Sequence, residues 1–441
     1  MTVIEQQPAK PIGGAAKPPT DQPALRMGWL DALRGVAALL VAVHHFGLIR
    51  LLPYGGTINR EFDLGIYAVM LFFLVSGYIV PASLERRGDV RGFWIGRIFR
   101  IYPLLIVVIT AALLILPRAH SAVPDVVVDH PLRSSLANVL LLHEMLNVPS
   151  ALGAMWTLCY EMVFYFFVGA LFVQGRHRLS SPIAIGFAGL ALLLGAAVTP
   201  AMITVDREST RNLIVGATVV MAMGLACILT GRTALVRLGS LVLGGLGAVL
   251  LFLNARSTFF ESMTILATMF AGTAIHRIER GQLDRLQGLL CCGFVLVSGV
   301  LVGFLYNHGD AFYRTWTSSW VGFSLPYAAA WATFGLGMLL RNRRFPRVLT
   351  WLGAISYSVY VVHIPVLHAV TWLIPGDAFP HHGPGKFVPA LIFLAAVLLF
   401  SHLTYRLVEL PGQNLGRRLL KTLNTRSARH PENPPAAESP A

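Results

Sequence analysis

Charge is scarce in this sequence. Of 441 residues only 13% are Asp, Glu, Lys or Arg, about half the share of an ordinary soluble domain, while 55% are hydrophobic and the mean hydropathy is +0.65. That scarcity excludes a large water-exposed domain, because no stretch between the apolar runs is long enough to build one. Cysteine is scarce too. Cys159, Cys227, Cys291 and Cys292 fall inside apolar runs without the spacing of a zinc site or a secreted disulfide framework, which leaves them as packing residues and no metal expected. Acidic residues are outnumbered 21 to 35 by Lys and Arg, for a net charge of +14. Such a charge suits nucleic acid, but here it is scattered over short segments between apolar runs, so membrane topology accounts for it and no nucleic-acid partner is expected. Residues 1–27 are rich in Pro and Ala, lack the apolar core of a signal peptide and read as a disordered tail. Residues 413–441, basic and then Pro-rich, read as a second tail.

What is present is a train of apolar runs of about 17 to 22 residues, each long enough to cross roughly 30 Å of hydrocarbon. They fall near 29–48, 64–83, 101–117, 154–174, 182–199, 213–230, 238–254, 259–275, 288–306, 319–340, 350–372 and 388–408. Their length and continuous apolarity fit helices rather than alternating barrel strands. Residues 28–412 are therefore expected to form one all-α membrane domain, a polytopic bundle of about 10–12 transmembrane helices embedded in the lipid bilayer. Arg86, Arg87, Arg91, Arg97, Arg100, Arg341, Arg343, Arg344, Arg347, Arg417, Arg418 and Lys421 fall on one side when the loops are alternated. By the positive-inside rule that side, with both termini, is cytoplasmic.

Polar groups interrupt this pattern in few places. In "LRGVAALLVAVHHFG" (33–47), Arg34 and His45 are eleven residues apart, which at 100° per residue places them within about 20° of one helix face and about 16.5 Å apart along the axis. One stripe thus carries a cation near the cytoplasmic entrance and a titratable base deeper in. Interfacial snorkelling explains such residues at span ends, whereas a bundle-facing pair marks a functional site. Arg97 and Arg100, three apart before the third span, share a face that serves either as a positive-inside flank or as a forked phosphate site. The His120 to Asp125 stretch "HSAVPD" lies in an expected outer loop and carries no chemistry in this reading. The glycines of "LGGLGAVL" (243–250) are placed within a span for close helix packing.

The segments "LDALRGVAALLVAVHHFG", "LFFLVSGYIV", "RIFRIYP", "MWTLCYEMVFYFF", "LGAISYSVYVVHIPV" and "YRLVELP" follow in an order that resembles the acyltransferase-type-3 family, over residues 29–175 and 345–412. The resemblance implies an integral membrane enzyme, multi-pass in a bacterial inner membrane. It would transfer an acyl group, expected to be acetyl, from acyl-coenzyme A to a hydroxyl of an envelope polysaccharide, glycolipid or other glycan or small molecule. It implies His45 and Glu161 as catalytic residues, and Arg34, Arg97 and Arg100 as holders of the donor's phosphates. Trp156, Tyr165, Ser76, Tyr357, Tyr360 and His363 fall on its remaining motifs as substrate or structural support. For Glu161 a structural ion pair stays open beside a role in orienting a histidine or a sugar hydroxyl. His363 is either a packing histidine or a second proton-transfer group. Arg406 and Glu409, three apart, are expected to pair. Roughly twelve spans with buried Glu, Arg and His suit a proton-coupled secondary transporter equally well by hydropathy, although no second copy of the Arg34–His45 segment appears in the C-terminal half.

Overall fold

A computed structural model describes residues 28–307, 315–317, 319–374, 378 and 383–429; the expected N-terminal tail, 1–27, and residues 430–441 lie outside them. The twelve apolar runs are all helical, and no strand occurs among the described residues. We number the main helices α1 (Gly28–Phe46), α2 (Leu64–Arg87), α3 (Val90–Ile115), α4 (Trp156–Val173), α5 (Ser180–Leu194), α6 (Arg207–Leu229), α7 (Thr233–Asn254), α8 (Phe259–Glu279), α9 (Arg285–Tyr306), α10 (Trp320–Leu339), α11 (Arg347–Ala354), α12 (Ser356–Leu373), α13 (Val388–Thr404) and α14 (Leu410–Arg429). Eight segments are long and apolar enough to span a membrane by themselves, and α11 with α12, bent by 69°, makes a ninth. Of the three remaining runs, α5 is short, α10 holds Pro326 in its interior, and α8 carries Glu261, Arg277 and Glu279 and is buried on nearly every side. That explains why counting apolar runs gives twelve: a helix surrounded by protein need not be apolar enough for lipid.

Backbone close approach organises the centre. A Cβ added to Gly77 of α2 would lie 1.9 Å from the Met269 carbonyl oxygen of α8, and one on Gly272 would lie 2.4 Å from the Leu74 oxygen. The same device joins α1 to α11, where Gly35 sits against the Leu352–Gly353 backbone and Gly353 against that of Asp31. It also joins α7 to α4, where Gly244 faces Ala170 and Gly247 faces Phe166, as the glycine pattern at 243–250 predicts.

Two boundaries differ from the sequence expectation. Helix α3 starts at Val90 rather than near 101, so Pro103 is interior. The Arg-rich segment before the apolar run is helical because Gly88, at φ +67°, closes α2 and lets α3 begin at once. Helix α14 runs to Arg429, so the folded body extends well beyond 412, and Gly416 and Gly412 pack on Phe99 and Pro103 of α3. Helix α14 therefore lies at the same end of the bundle as the start of α3, and the start of α1, where Gly28 meets Thr350 of α11, lies at that end too. Arg406 and Glu409 do not pair: Arg406 is exposed while Glu409 is buried. A π-turn at Tyr405–Glu409 widens the helix there and takes the two off a common face.

At the opposite end, residues 140–152 dip into the protein without regular helix, with Leu141, Leu142, Met145, Leu146 and Val148 wholly buried. Such backbone survives only when its polar groups are satisfied internally. Asn138 donates to the Ser134 and Pro149 oxygens and accepts from Ala151 N–H, and Asn254 donates to the Met145 oxygen and accepts from the Ile203 and Thr204 N–H groups.

The close approach gives a test. Gly77→Val must push α2 off a backbone carbonyl and is expected to cost about 2–3 kcal/mol, read as a lower unfolding midpoint in detergent. Gly189→Ala, which meets nothing within 4 Å, should be neutral or slightly stabilising. Equal midpoints for both variants would contradict the α2–α8 contact.

Candidate active site

A pocket of about 670 Å³, counting its open mouth, lies between α1, α2, α3, α4 and α12. Of the residues singled out in the sequence, Arg34, Ser76, Arg100, Glu161, Tyr165, Tyr357 and Tyr360 line it. Five helices distant in sequence thus deliver seven of the eleven side chains to one space. Arg97, Trp156, His45 and His363 are not in its lining.

The arginines divide. Arg34 and Arg100 both face the pocket, and among the described residues neither makes a hydrogen bond or ion pair. Their nearest electrostatic neighbours include each other and the carboxylates of Asp31, Glu161 and Glu409. Two guanidiniums converging on a partly desolvated space without a bonded counter-ion are costly, and that cost is relieved when an anion enters. Arg97 is instead occupied. Its guanidinium lies over the rings of Phe93 and Tyr165, at 5.1 and 4.9 Å from their centroids, and donates to the Tyr165 hydroxyl and to Ser83 Oγ at 3.4 Å each. A three-residue separation leaves neighbours on a helix about 60° apart, enough for one of the two to enter the pocket and the other to brace its wall.

Glu161 makes no ion pair of its own among the described residues. Its Oε1 accepts from the Tyr165 hydroxyl at 2.6 Å and from Ser76 Oγ at 3.5 Å. Arg97, Tyr165 and Glu161 thus form a relay in which the braced cation fixes the phenol and the phenol fixes the carboxylate. One turn apart on α4, Glu161 and Tyr165 share a face, as their spacing predicts.

Helix α12 supplies the far wall. Tyr357 donates to the Ile101 oxygen at 2.8 Å, and the Tyr360 hydroxyl is tied to Thr157 Oγ1 and donates to the Ala154 oxygen. Beyond Tyr360 the aromatic contacts continue, from Tyr360 to His363 at 6.0 Å and from His363 to His45 at 5.0 Å between ring centroids. Arg34 and His45 therefore face the same partner helix, α12, as their common stripe on α1 requires. The pocket nevertheless stops at Tyr360, and the rings of Tyr360 and His363 stand between it and His45. His45 is exposed at the other end of α1, whereas His363 is completely buried. Trp156 packs against Trp316, 4.5 Å between centroids, and against Tyr160, while its neighbour Thr157 lines the pocket.

Sequence reading gives no site role to Ser356, marks Thr157 only as a departure from its motif, and assigns Glu409 to a pair with Arg406. Thr157 and Ser356 line the pocket, but small hydroxyl residues carry no recognisable spacing. Glu409 is buried beside the two free arginines, where it accepts from Ser358 Oγ at 2.8 Å and from Gln413 at 3.1 Å. Its place in "YRLVELP" suggests an i, i+3 partner in Arg406, and the π-turn at Tyr405–Glu409 breaks that rule.

Fold and site together define a polytopic helical membrane protein with an internal pocket of two free cations and one braced carboxylate. The chain belongs to the acyltransferase-3 family, whose acyltransferase-domain model matches residues 27–406. It is also similar to the acyltransferase MdmB of Streptomyces mycarofaciens, 30% identical over 149 residues, a match that takes in 32% of this chain and 38% of that relative. The chain thus spans well under half the length of the curated relative it matches. No solved structure matches it significantly.

The free arginines make a prediction that needs no substrate. Arg100→Met removes a cation that makes no hydrogen bond or ion pair among the described residues, so the unliganded variant should stay within about 1 kcal/mol of the parent's stability. Thermal unfolding in detergent reads this directly. A large loss of stability would mean that Arg100 has a structural counter-ion.

Proposed function

We propose that this protein is a membrane-bound O-acyltransferase that moves an acyl group, acetyl in the first instance, from acyl-coenzyme A to a hydroxyl of an envelope polysaccharide, glycolipid or other glycan or small molecule. The observation that carries this reading is the pair of unpaired guanidiniums, Arg34 and Arg100, in one pocket. The donor is a polyanion, and forked guanidiniums are the side chains best suited to phosphate oxygens. No metal is invoked. Arg100 lies on α3, the helix that carries the Arg-rich segment and packs on the basic helix α14, which suits a donor arriving from the cytoplasm with both termini on that side.

In this reading Arg34 and Arg100 bind the donor's phosphates, while Arg97 keeps Tyr165 and Glu161 in place. His45, reached from the opposite end, accepts the proton of the attacking hydroxyl, and Glu161 with Ser76 orients polar groups inside the pocket. The ester C–O bond forms as the thioester C–S bond breaks, and the proton leaves with the thiol. The two ends of α1 thus serve the two substrates, which lets a donor on one side of the membrane meet an acceptor on the other. Membership of the acyltransferase-3 family favours this chemistry over ion-coupled transport.

General-base assistance is worth about 10² to 10⁴ in rate, so His45→Ala should lower acyl transfer in isolated membranes by at least the lower figure, at unchanged protein level. Near-normal transfer would refute the role. Coenzyme A should raise the unfolding midpoint of the parent protein and leave that of an Arg34→Met, Arg100→Met double variant unmoved. An equal shift in both would place the phosphate site elsewhere.

A further inference from the structure

His45 and His363 are in direct contact, and the hydrogen bonds around them fix where their protons sit. His45 Nδ1 lies 2.9 Å from the Val41 oxygen, and His363 Nδ1 lies 3.2 Å from the Val359 oxygen. A carbonyl oxygen only accepts, so each Nδ1 carries a proton and each Nε2 a lone pair. His363 Nε2 is 3.3 Å from His45 Nδ1. The Nδ1–H of His45 therefore points between two acceptors, its own helix carbonyl and the lone pair of His363. His44 does not take this place: its Nδ1 accepts the Gly65 N–H at 3.1 Å and faces Asp63.

The burial of the two rings is opposite in sense. His363 is wholly enclosed, with Tyr360 on its far side, while His45 is exposed. A buried histidine spends its hydrogen-bonding capacity where its surroundings allow, and here both nitrogens are used, one on Val359 and one on His45. From this geometry we propose that His363 is a positioning residue for His45. It holds the outer imidazole as the Nδ1–H tautomer with the Nε2 lone pair turned to the exposed side, and it supplies a neutral acceptor for Nδ1–H when His45 takes up a proton. A carboxylate in the same place would neutralise that imidazolium, whereas a neutral imidazole supports it and still lets the proton leave. This inference rests on the reading of His45 as the base.

The test uses the purified full chain in detergent, with acetyl-coenzyme A as probe and free-thiol release as readout. His363→Leu keeps the buried volume and removes the acceptor, whereas His363→Gln returns an oxygen near the position of Nε2. The leucine variant is expected to lower kcat about 10- to 100-fold with the KM for acetyl-coenzyme A within about twofold, and the glutamine variant to recover most of that loss. Without any substrate, carbethoxylation of His45 by diethyl pyrocarbonate, followed by peptide mass spectrometry, should slow severalfold in the leucine variant. Full kcat in His363→Leu, no advantage of Gln over Leu, or an unchanged carbethoxylation rate would each overturn the proposal. If His45→Ala abolishes turnover while His363→Leu retains it, this inference alone fails. If His45→Ala retains turnover, the base assignment itself fails.

Discussion

Two arginine side chains that face one pocket and make no hydrogen bond or ion pair among the described residues set the terms for this structure. A guanidinium in a bundle of apolar helices is tolerated when it reaches the interface, is paired, or borders a cavity that water or a ligand enters. Arg34 and Arg100 take the third course, and the surrounding helices are arranged accordingly. Helices α2, α4 and α12 contribute Ser76, Glu161, Tyr165, Tyr357 and Tyr360 to the same space, so the two cations meet polar side chains rather than a wholly apolar wall. The glycine contacts of α2 with α8 and of α1 with α11 hold the walls at a fixed spacing, since a close backbone crossing has less freedom to slide than one separated by flexible side chains.

The division of labour between Arg97 and Arg100 follows from the same economy. A site that must admit an anion needs at least one cation left free, and a carboxylate in the same pocket has to be kept from capturing it. Tyr165 serves that purpose, because its hydroxyl occupies Glu161 Oε1 while its ring carries the guanidinium of Arg97. Glu409 is held back in the same manner by Ser358 and Gln413. The pocket therefore contains opposite charges that do not quench one another, a condition suited to binding a charged molecule from solution.

The separation of His45 from the arginines is the feature that most shapes the functional proposal. Both residues lie along one stripe of α1 and face α12, yet Tyr360 and His363 stand between them. On the proposed reading the reacting carbonyl has to reach past Tyr360, whose hydroxyl is tied to α4 through Thr157 and Ala154. That tie links the pocket wall to the helix bearing Glu161, so the donor pocket and the outer imidazole share a structural element although they share no lining residue.

Hydropathy was sufficient to determine that the chain is a helical membrane bundle, because lipid offers no partner for backbone polar groups and long apolar runs have one solution there. Helical periodicity was sufficient to place Arg34 and His45 on one face, and Glu161 and Tyr165 on another, because local geometry needs no tertiary contact. The order of short motifs was sufficient to suggest the family that the match over residues 27–406 shows. What periodicity could not determine is which side chain on a face finds a partner. Arg97 and Arg100 look equivalent in sequence, and only the approach of Phe93 and Tyr165 makes one a brace and the other free. Likewise Glu409 looks like the partner of Arg406 until a π-turn, sustained by its own packing and that of α14 on α3, turns it inward. Those outcomes depend on contacts between residues far apart in sequence, such as Arg97 with Tyr165 and Glu409 with Ser358, and a local pattern holds no record of such distances.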